Sequence, residues 1–354
     1  MKSTKWIKIF IGLFLLTLLL IGGINYIVDP FQQYRAKTFY PISFNIRDQR
    51  YKNAGLSKNF EYDSLILGTS MTENFVIDKV EKSLNFNKLI KLSISGGSAK
   101  EQSTTLQTAI ENNKNLRNVL WGLDTLSFIG NPNRLRYGPN SFPFYLYDNN
   151  KLNDYKYLLS IDTLKKSINI LFKINNEDSN YDFNNMYQWQ NKDEKEFKIE
   201  NVYKAWEKRK TDFNKNSTSE QKFIYLKNNF DINFLPIIKN NSQINFTIFF
   251  PPYSILTFET FEEQNLVSDI LEFKKYIFES LLPYKNVKIY DFQAEKSITH
   301  DLSNYKDLSH YHQRVNYWMI EQIKENKYLV TEENFNIYLE DLKKEILEYN
   351  LNKI

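Results

Sequence analysis

Cysteine is absent from all 354 residues of the chain. Disulfides, thiol nucleophiles and cysteine-ligated metals are thereby excluded. The absence fits an exported protein without establishing export. Histidine is scarce: with only 3 in the chain, His300, His310 and His312, any imidazole chemistry falls to one of these. A strong charge of either sign is also lacking. The formal net charge of +4 is mild and dispersed, so nucleic acid is not an expected partner. No internal repeat and no charged tail occur. Aromatic residues are plentiful, chiefly Phe and Tyr, and the length suffices for one large domain or two small ones.

One long apolar run is present. Trp6 to Val28 is nearly all apolar, with Lys8 near its start and Asn25 near its end. About 20 apolar residues cross a bilayer at a rise of 1.5 Å each. Lys2, Lys5 and Lys8 lie at or before the start of the run, and Asp29 follows it. The positive-inside rule then expects a cytoplasmic N-terminus with the rest of the chain outside. A cleaved signal peptide is the competing reading. The run is long for one and no A-x-A-like site follows, although Gly22-Gly23 leaves cleavage open. A buried soluble helix would carry a polar face, and this run has none. The expected organisation is a stub and transmembrane anchor over 1–28, a juxtamembrane segment over 29–59, and an extracytoplasmic domain over 60–354.

Within that domain, strand and helix patterns alternate. Ser64–Leu67, Lys88–Ile94, Asn118–Leu123, Asn245–Phe250 and Val287–Phe292 read as strands. Thr72–Ser83, Ala99–Asn112, Leu266–Leu282, Val315–Ile323 and Phe335–Tyr349 read as helices. Such alternation predicts an α/β fold: a mostly parallel central sheet covered on both faces. Between about 129 and 241 the alternation fails. Leu158–Phe172 and Glu200–Lys210 look helical there, and the stretch reads as an insertion or cap over the C-terminal edge of the sheet.

Two short motifs carry chemistry. Gly68-Thr69-Ser70 follows the first strand. A serine at that sheet edge sits where α/β proteins bind ligands, and the following N–H groups can face an oxyanion. The bland alternative is a capping box, with Ser70 or Thr69 ahead of Glu73. Asp307-Leu308-Ser309-His310 lies before a late helix. At this spacing Asp307 can accept from His310 Nδ1 and leave Nε2 for a serine. A surface Asp with a satisfied His is the alternative. A metal site on His310 and His312 with Asp301 or Asp307 is weakly specified.

Together these motifs resemble the SGNH (GDSL-like) hydrolase superfamily. Gly68-Thr69-Ser70 after the first strand, Gly96-Gly97 after the second, a polar residue after the third and Asp307-x-x-His310 near the end match its blocks in order, over roughly 61–327. The resemblance implies a three-layer α/β/α fold of SGNH or flavodoxin-like type. It also implies Ser70 as nucleophile, His310 as base and Asp307 as its orienter, with no cofactor and no metal. The oxyanion hole would take the Ser70 amide, Gly96 or Gly97, and a third donor. An N-terminal anchor before such a domain is similar to envelope members, among them D-alanyl-lipoteichoic acid biosynthesis and alginate O-acetylation proteins. Two positions depart from the family. Thr69 replaces a common Asp. Asp124 stands where an Asn usually donates to the oxyanion, so Thr125 or Ser127 becomes an alternative donor. Gly96, Gly97, Asp124, Tyr253 and Ser254 are the expected pocket residues, with Ser98 and Tyr311 nearby. Arg134 and Arg136 in the cap could contact an anionic polymer.

The expected function is a membrane-anchored serine esterase or acyltransferase acting on an envelope polysaccharide or lipid-linked glycan. Its expected partners are that glycan, the membrane and a membrane-bound acyltransferase. The alternative is a non-catalytic envelope assembly protein of the same fold.

Overall fold

Short runs of buried residues build the centre of the molecule. In the computed structural model, which describes residues 2–37, 39–172, 181–190, 196–213 and 222–349, they form one six-stranded sheet. Its strands are β1 (Ser64–Leu67), β2 (Leu89–Lys91), β3 (Asn118–Gly122), β4 (Asn245–Phe250), β5 (Val287–Asp291) and β6 (Leu329–Val330), in the order β2-β1-β3-β4-β5-β6. The first five are parallel. Leu65 pairs with Ile90 of β2 and Val119 of β3, and Ile248 pairs with Ile289. β6 runs antiparallel at the edge. It escapes the sequence reading because two residues carry no periodicity.

The order 2-1-3-4-5 reverses direction between β1 and β3. In open α/β sheets such a switch point, at the carboxyl ends of the strands, is where ligands bind. Right-handed crossovers put successive helices on opposite faces according to the direction of travel. Ile77–Leu84 packs with Gln313–Lys324 on one face. Ala99–Asn112, Phe223–Asn233 and Val267–Leu281 pack in series on the other. The final helix, Phe335–Glu348, buries Leu339, Leu342 and Ile346 against Val267–Leu281 and Ile255–Glu263.

Two stretches are tied closely to the sheet. The helix Gln49–Asn59, within the expected juxtamembrane segment, packs on Ala99–Asn112, and Gln49, Arg50, Lys52 and Asn53 are all buried. The stretch 129–241, read as an insertion or cap, also reaches the core. Its helix Phe223–Asn233 covers the sheet, and Phe234 stacks on Trp121 of β3 with ring centroids 3.8 Å apart. The N-terminal helix spans Lys2–Val28, and Thr4–Val28 is long and apolar enough to cross a membrane.

Candidate active site

β1 ends at Leu67, and Gly68 turns the chain with φ +148. A side chain cannot stand there: a Cβ would lie 2.6 Å from Thr72 Cγ2 and 3.1 Å from the Gly122 carbonyl. The turn delivers Ser70 to the head of a 3-10 turn, Ser70–Thr72. Thr69, not Ser70, caps that turn, accepting from the Met71 N–H. Glu73 forms no capping box either; it accepts from Gln49 Nε2 at 2.7 Å. The Ser70 hydroxyl is left for another partner.

That partner is His310. Its Nε2 lies 2.8 Å from Ser70 Oγ. Its Nδ1 lies 2.7 Å from Asp307 Oδ2 and 2.9 Å from Oδ1. Asp307 also accepts from the N–H groups of Ser309 and His310, at 3.0 and 2.9 Å. Burial works against the Asp307 charge, but its bonds to His310 and these amides outweigh it and hold the carboxyl down at about 2. Ser70, His310 and Asp307, expected together, are placed together, 240 residues apart in sequence for the outer pair.

The loop bearing Asp307 and His310 is clamped on three sides. Tyr305 and Tyr311 close its neck as a bridge, and Lys306 N donates to His310 O. Tyr311 Oη donates to Met71 O at 2.7 Å, tying the loop to the serine turn. The Leu308 carbonyl accepts from Ser254 N, Ser254 Oγ and Thr257 Oγ1. Tyr253 and Ser254 were expected to line the pocket. Both are closed off from solvent, so neither can stack on or bind a sugar. They hold the loops in place instead.

Asp124 has a similar outcome. Its Oδ2 accepts from Thr69 Oγ1 at 3.0 Å, and its Oδ1 accepts from Tyr253 Oη at 2.5 Å and from Leu126 N at 3.0 Å. The carboxylate caps the turn Thr125–Phe128. Of the alternative donors, Ser127 is buried and spends its hydroxyl on the Gly97 carbonyl, 2.9 Å away. Thr125 is buried, and its N–H donates to Tyr253 Oη. Ser98 caps Ala99–Asn112 in a box with Glu101.

Gly96 and Gly97 follow β2. Gly97 N donates back to Ile94, whereas the N–H groups of Gly96 and Ser70 donate to no described residue. Gly96 has φ +56, and the guanidinium of exposed Arg136 lies where its side chain would be, with Nε 2.9 Å from an ideal Cβ. Arg134 is committed to the carbonyls of Leu126, Ser127 and Ile129. The glycine turn is braced from below: Gln49 accepts from Ser95 N at 2.6 Å, and buried Arg50 holds Glu101 at 3.0 Å.

Trp189 is the residue that the sequence did not signal. Its Nε1 donates to the Ser70 carbonyl at 3.0 Å, and its ring meets His310 edge-on at 5.4 Å. Lys306 Nζ lies 3.7 Å above the same ring. Asn74 holds this strap by accepting from the N–H groups of Trp189 and Gln190. Beneath the turn, burial raises Glu73 to about 7 and lowers Lys91 to about 7. The metal alternative finds no support in the geometry. His312 Nδ1 accepts from Arg314 N, and no described cluster of three His, Asp or Glu side chains could hold an ion.

No family model and no curated protein matches the chain significantly. Among solved structures, a Streptococcus pneumonia protein provisionally described as a platelet activating factor aligns at 9% identity. The alignment covers 80% of this chain and 91% of that one, with a TM-score of 0.36. At that TM-score nothing about chemistry follows from the likeness.

Proposed function

We propose that this chain is a membrane-anchored serine esterase or O-acyltransferase of SGNH type. The observation that carries the reading is the unbroken relay Ser70–His310–Asp307 at the switch point of the sheet, with contacts of 2.8 and 2.7 Å. Few structural roles require a half-buried serine hydroxyl to meet an imidazole whose other nitrogen is fixed by a carboxylate.

In the proposed mechanism, Ser70 Oγ attacks an ester carbonyl and His310 Nε2 takes the hydroxyl proton. Asp307 holds the imidazole in the required tautomer and stabilises the imidazolium. The free N–H groups of Ser70 and Gly96 face the developing oxyanion. Collapse expels the alcohol, which His310 protonates, and the acyl group remains on Ser70. Water or a sugar hydroxyl, deprotonated by His310, then releases it. Arg136, seated on Gly96, would favour an anionic substrate. An envelope polysaccharide or lipid-linked glycan is the substrate class that the family resemblance suggests, and an anchor raises its local concentration. The domain would lie outside the cytoplasm, beside a membrane-bound acyltransferase.

The test is covalent. Full-length protein should be labelled by a fluorophosphonate probe, and Ser70→Ala should lose the label while melting at the same temperature. A folded wild-type protein that stays unlabelled overturns the enzyme reading. It would leave a binding protein, in keeping with the occupied carboxylate at Asp124.

A further inference from the structure

The helix Ile161–Leu171 leaves an apolar stripe uncovered. Its polar residues Thr163 and Ser167 are buried, while Ile161 is 65% exposed and Phe172, at its C-cap, 73% exposed. Ile161, Leu164, Ile168 and Phe172 fall on one stripe at helical spacing, with Leu171 beside it. The flank carries Lys165 and Asp162, both exposed and paired at 3.2 Å. Leu164 is half-buried, but Ile161, Ile168 and Phe172 stand exposed, and an apolar edge of this kind would cost the chain solubility for no structural return.

Its neighbour supplies a reason. The end of the N-terminal helix packs against Ile161–Leu171 and against the preceding turn Tyr155–Leu158. Buried Asn25 donates to the carbonyls of Leu158 and Ser160 and accepts from Ser167 Oγ at 2.9 Å. Leu159 sits over Gly22, its Cδ2 only 3.6 Å from where a Cβ would be. The junction is stiff beyond this point. Buried Asp29 accepts from Gln33 N, Tyr34 N and Tyr157 Oη.

Distances along the helix then place the stripe. Lys8 is the last charge in the N-terminal helix. From Lys8 to Val28 the helix rises about 30 Å, the thickness of a hydrocarbon core. On that scale Gly22 and Asn25 lie about 21 and 26 Å from Lys8, so they are roughly 4–9 Å inside the far boundary. Interfacial helices sink by about 5–10 Å. Exposed Tyr26, with Arg35 4.6 Å from its ring, marks the headgroup level on the same side.

We infer that Ile161–Leu171 lies in the membrane interface, with Ile161, Leu164, Ile168 and Phe172 in the acyl boundary and Lys165 reaching up to the headgroups. The inference rests on reading Thr4–Val28 as a membrane span. It makes the anchor and this helix a two-point mount that fixes the orientation of the domain over the bilayer, where one flexible tether would leave it free to rotate.

The absence of native cysteine allows a direct test. Single variants Ile168→Cys, Phe172→Cys, Leu13→Cys and Ile337→Cys of the full chain would be spin-labelled in phosphatidylcholine–phosphatidylglycerol nanodiscs. Accessibility to oxygen and to a water-soluble nickel chelate would be read by power saturation. Leu13 reports the span, and Ile337, 59% exposed on the last helix, reports water. The oxygen-to-nickel ratio at 168 and 172 should exceed that at 337 several-fold and approach that at 13. A lipid-like Leu13 with 168 and 172 matching 337 overturns the interfacial placement alone. So do labels at 168 and 172 that neither reagent reaches, which would mean a protein partner. A water-like Leu13 overturns the span reading, and this inference with it.

Discussion

The Thr69 hydroxyl donates to Asp124 Oδ2 at 3.0 Å, and Tyr253 and Leu126 N occupy Oδ1. Both residues depart from the family pattern that the sequence resembles, and they turn out to be partners in one bond. An Asp after Gly68 would put a second carboxylate against Asp124; Thr69 supplies a donor instead. Removing the carboxylate would leave the Tyr253 hydroxyl proton without its acceptor inside the domain, although Thr125 N still donates to the oxygen. Asp124→Ala should therefore cost about 1–3 kcal/mol in denaturant unfolding, whereas Asp124→Asn, which keeps an acceptor for the Leu126 amide, should cost less. Equal costs would mean that capping is not the role of this side chain. Asp307 makes a sharper prediction. Its carboxyl is held at about 2, below the ordinary value, by His310 and two amides despite burial. A depressed carboxylate adds stability above its unfolded pKa of about 4 and loses it as pH falls towards 2. Asp307→Asn should flatten that acid limb. It should also lower kcat by about 10⁴-fold if His310 is the base, because the wrong tautomer then faces Ser70.

The loop Tyr305–Tyr311 is held by the hydroxyls of its two tyrosines and by one carbonyl, that of Leu308. Leu308 O takes three donors, two of them from Ser254. Replacing Ser254 and Thr257 by Ala and Val leaves that carbonyl with one partner, Ser254 N. The loop should loosen, and a shift of about 1 Å at His310 can cost up to ~10²-fold in rate. Ester turnover should show this as a fall in kcat with KM little changed; a rise in KM alone would assign Ser254 to substrate binding after all. How far such elements are legible in sequence depends on what buries them. β1, β3, β4 and β5 announce themselves because they are short apolar runs bounded by breakers. Gln49–Asn59 does not, since half of what it buries is Gln, Arg, Lys and Asn, each satisfied by a partner that sequence cannot display. Lys52 reaches Pro30 O and Gln32 Oε1 at 2.6 Å, and Gln49 joins Glu73 to Ser95. Ser70, His310 and Asp307 were legible because their motifs lie at strand and helix ends. Trp189 was not: it reaches Ser70 through a loop contact across 119 positions, with no pattern around it.

At the scale of the whole molecule, buried ionisable groups set an unusual pH profile. Burial lowers Lys52 and Lys91 to about 7, and raises Glu73 to about 7. The sign differs for the two kinds. Between about 4.3 and 7 the folded state keeps the Glu73 proton that the unfolded chain releases, so stability falls as pH rises. Between about 7 and 10.4 the unfolded chain keeps the two lysine protons that the folded state has lost, so stability rises, by at most about 1.4 kcal/mol per pH unit for each lysine. Above about 10 the trend reverses again. Tyr157, Tyr187, Tyr253, Tyr305 and Tyr311 are pushed well above their ordinary value, chiefly by burial, and ionise only on unfolding. The full chain in detergent should thus show a shallow minimum in melting temperature near pH 7 and a maximum between about 9 and 10. Lys91→Met should reduce the alkaline rise, and Glu73→Gln should flatten the decline between pH 4 and 7. A profile that peaks at neutrality in the wild-type protein would mean that pairing or hydration keeps these side chains near their ordinary titration ranges in solution.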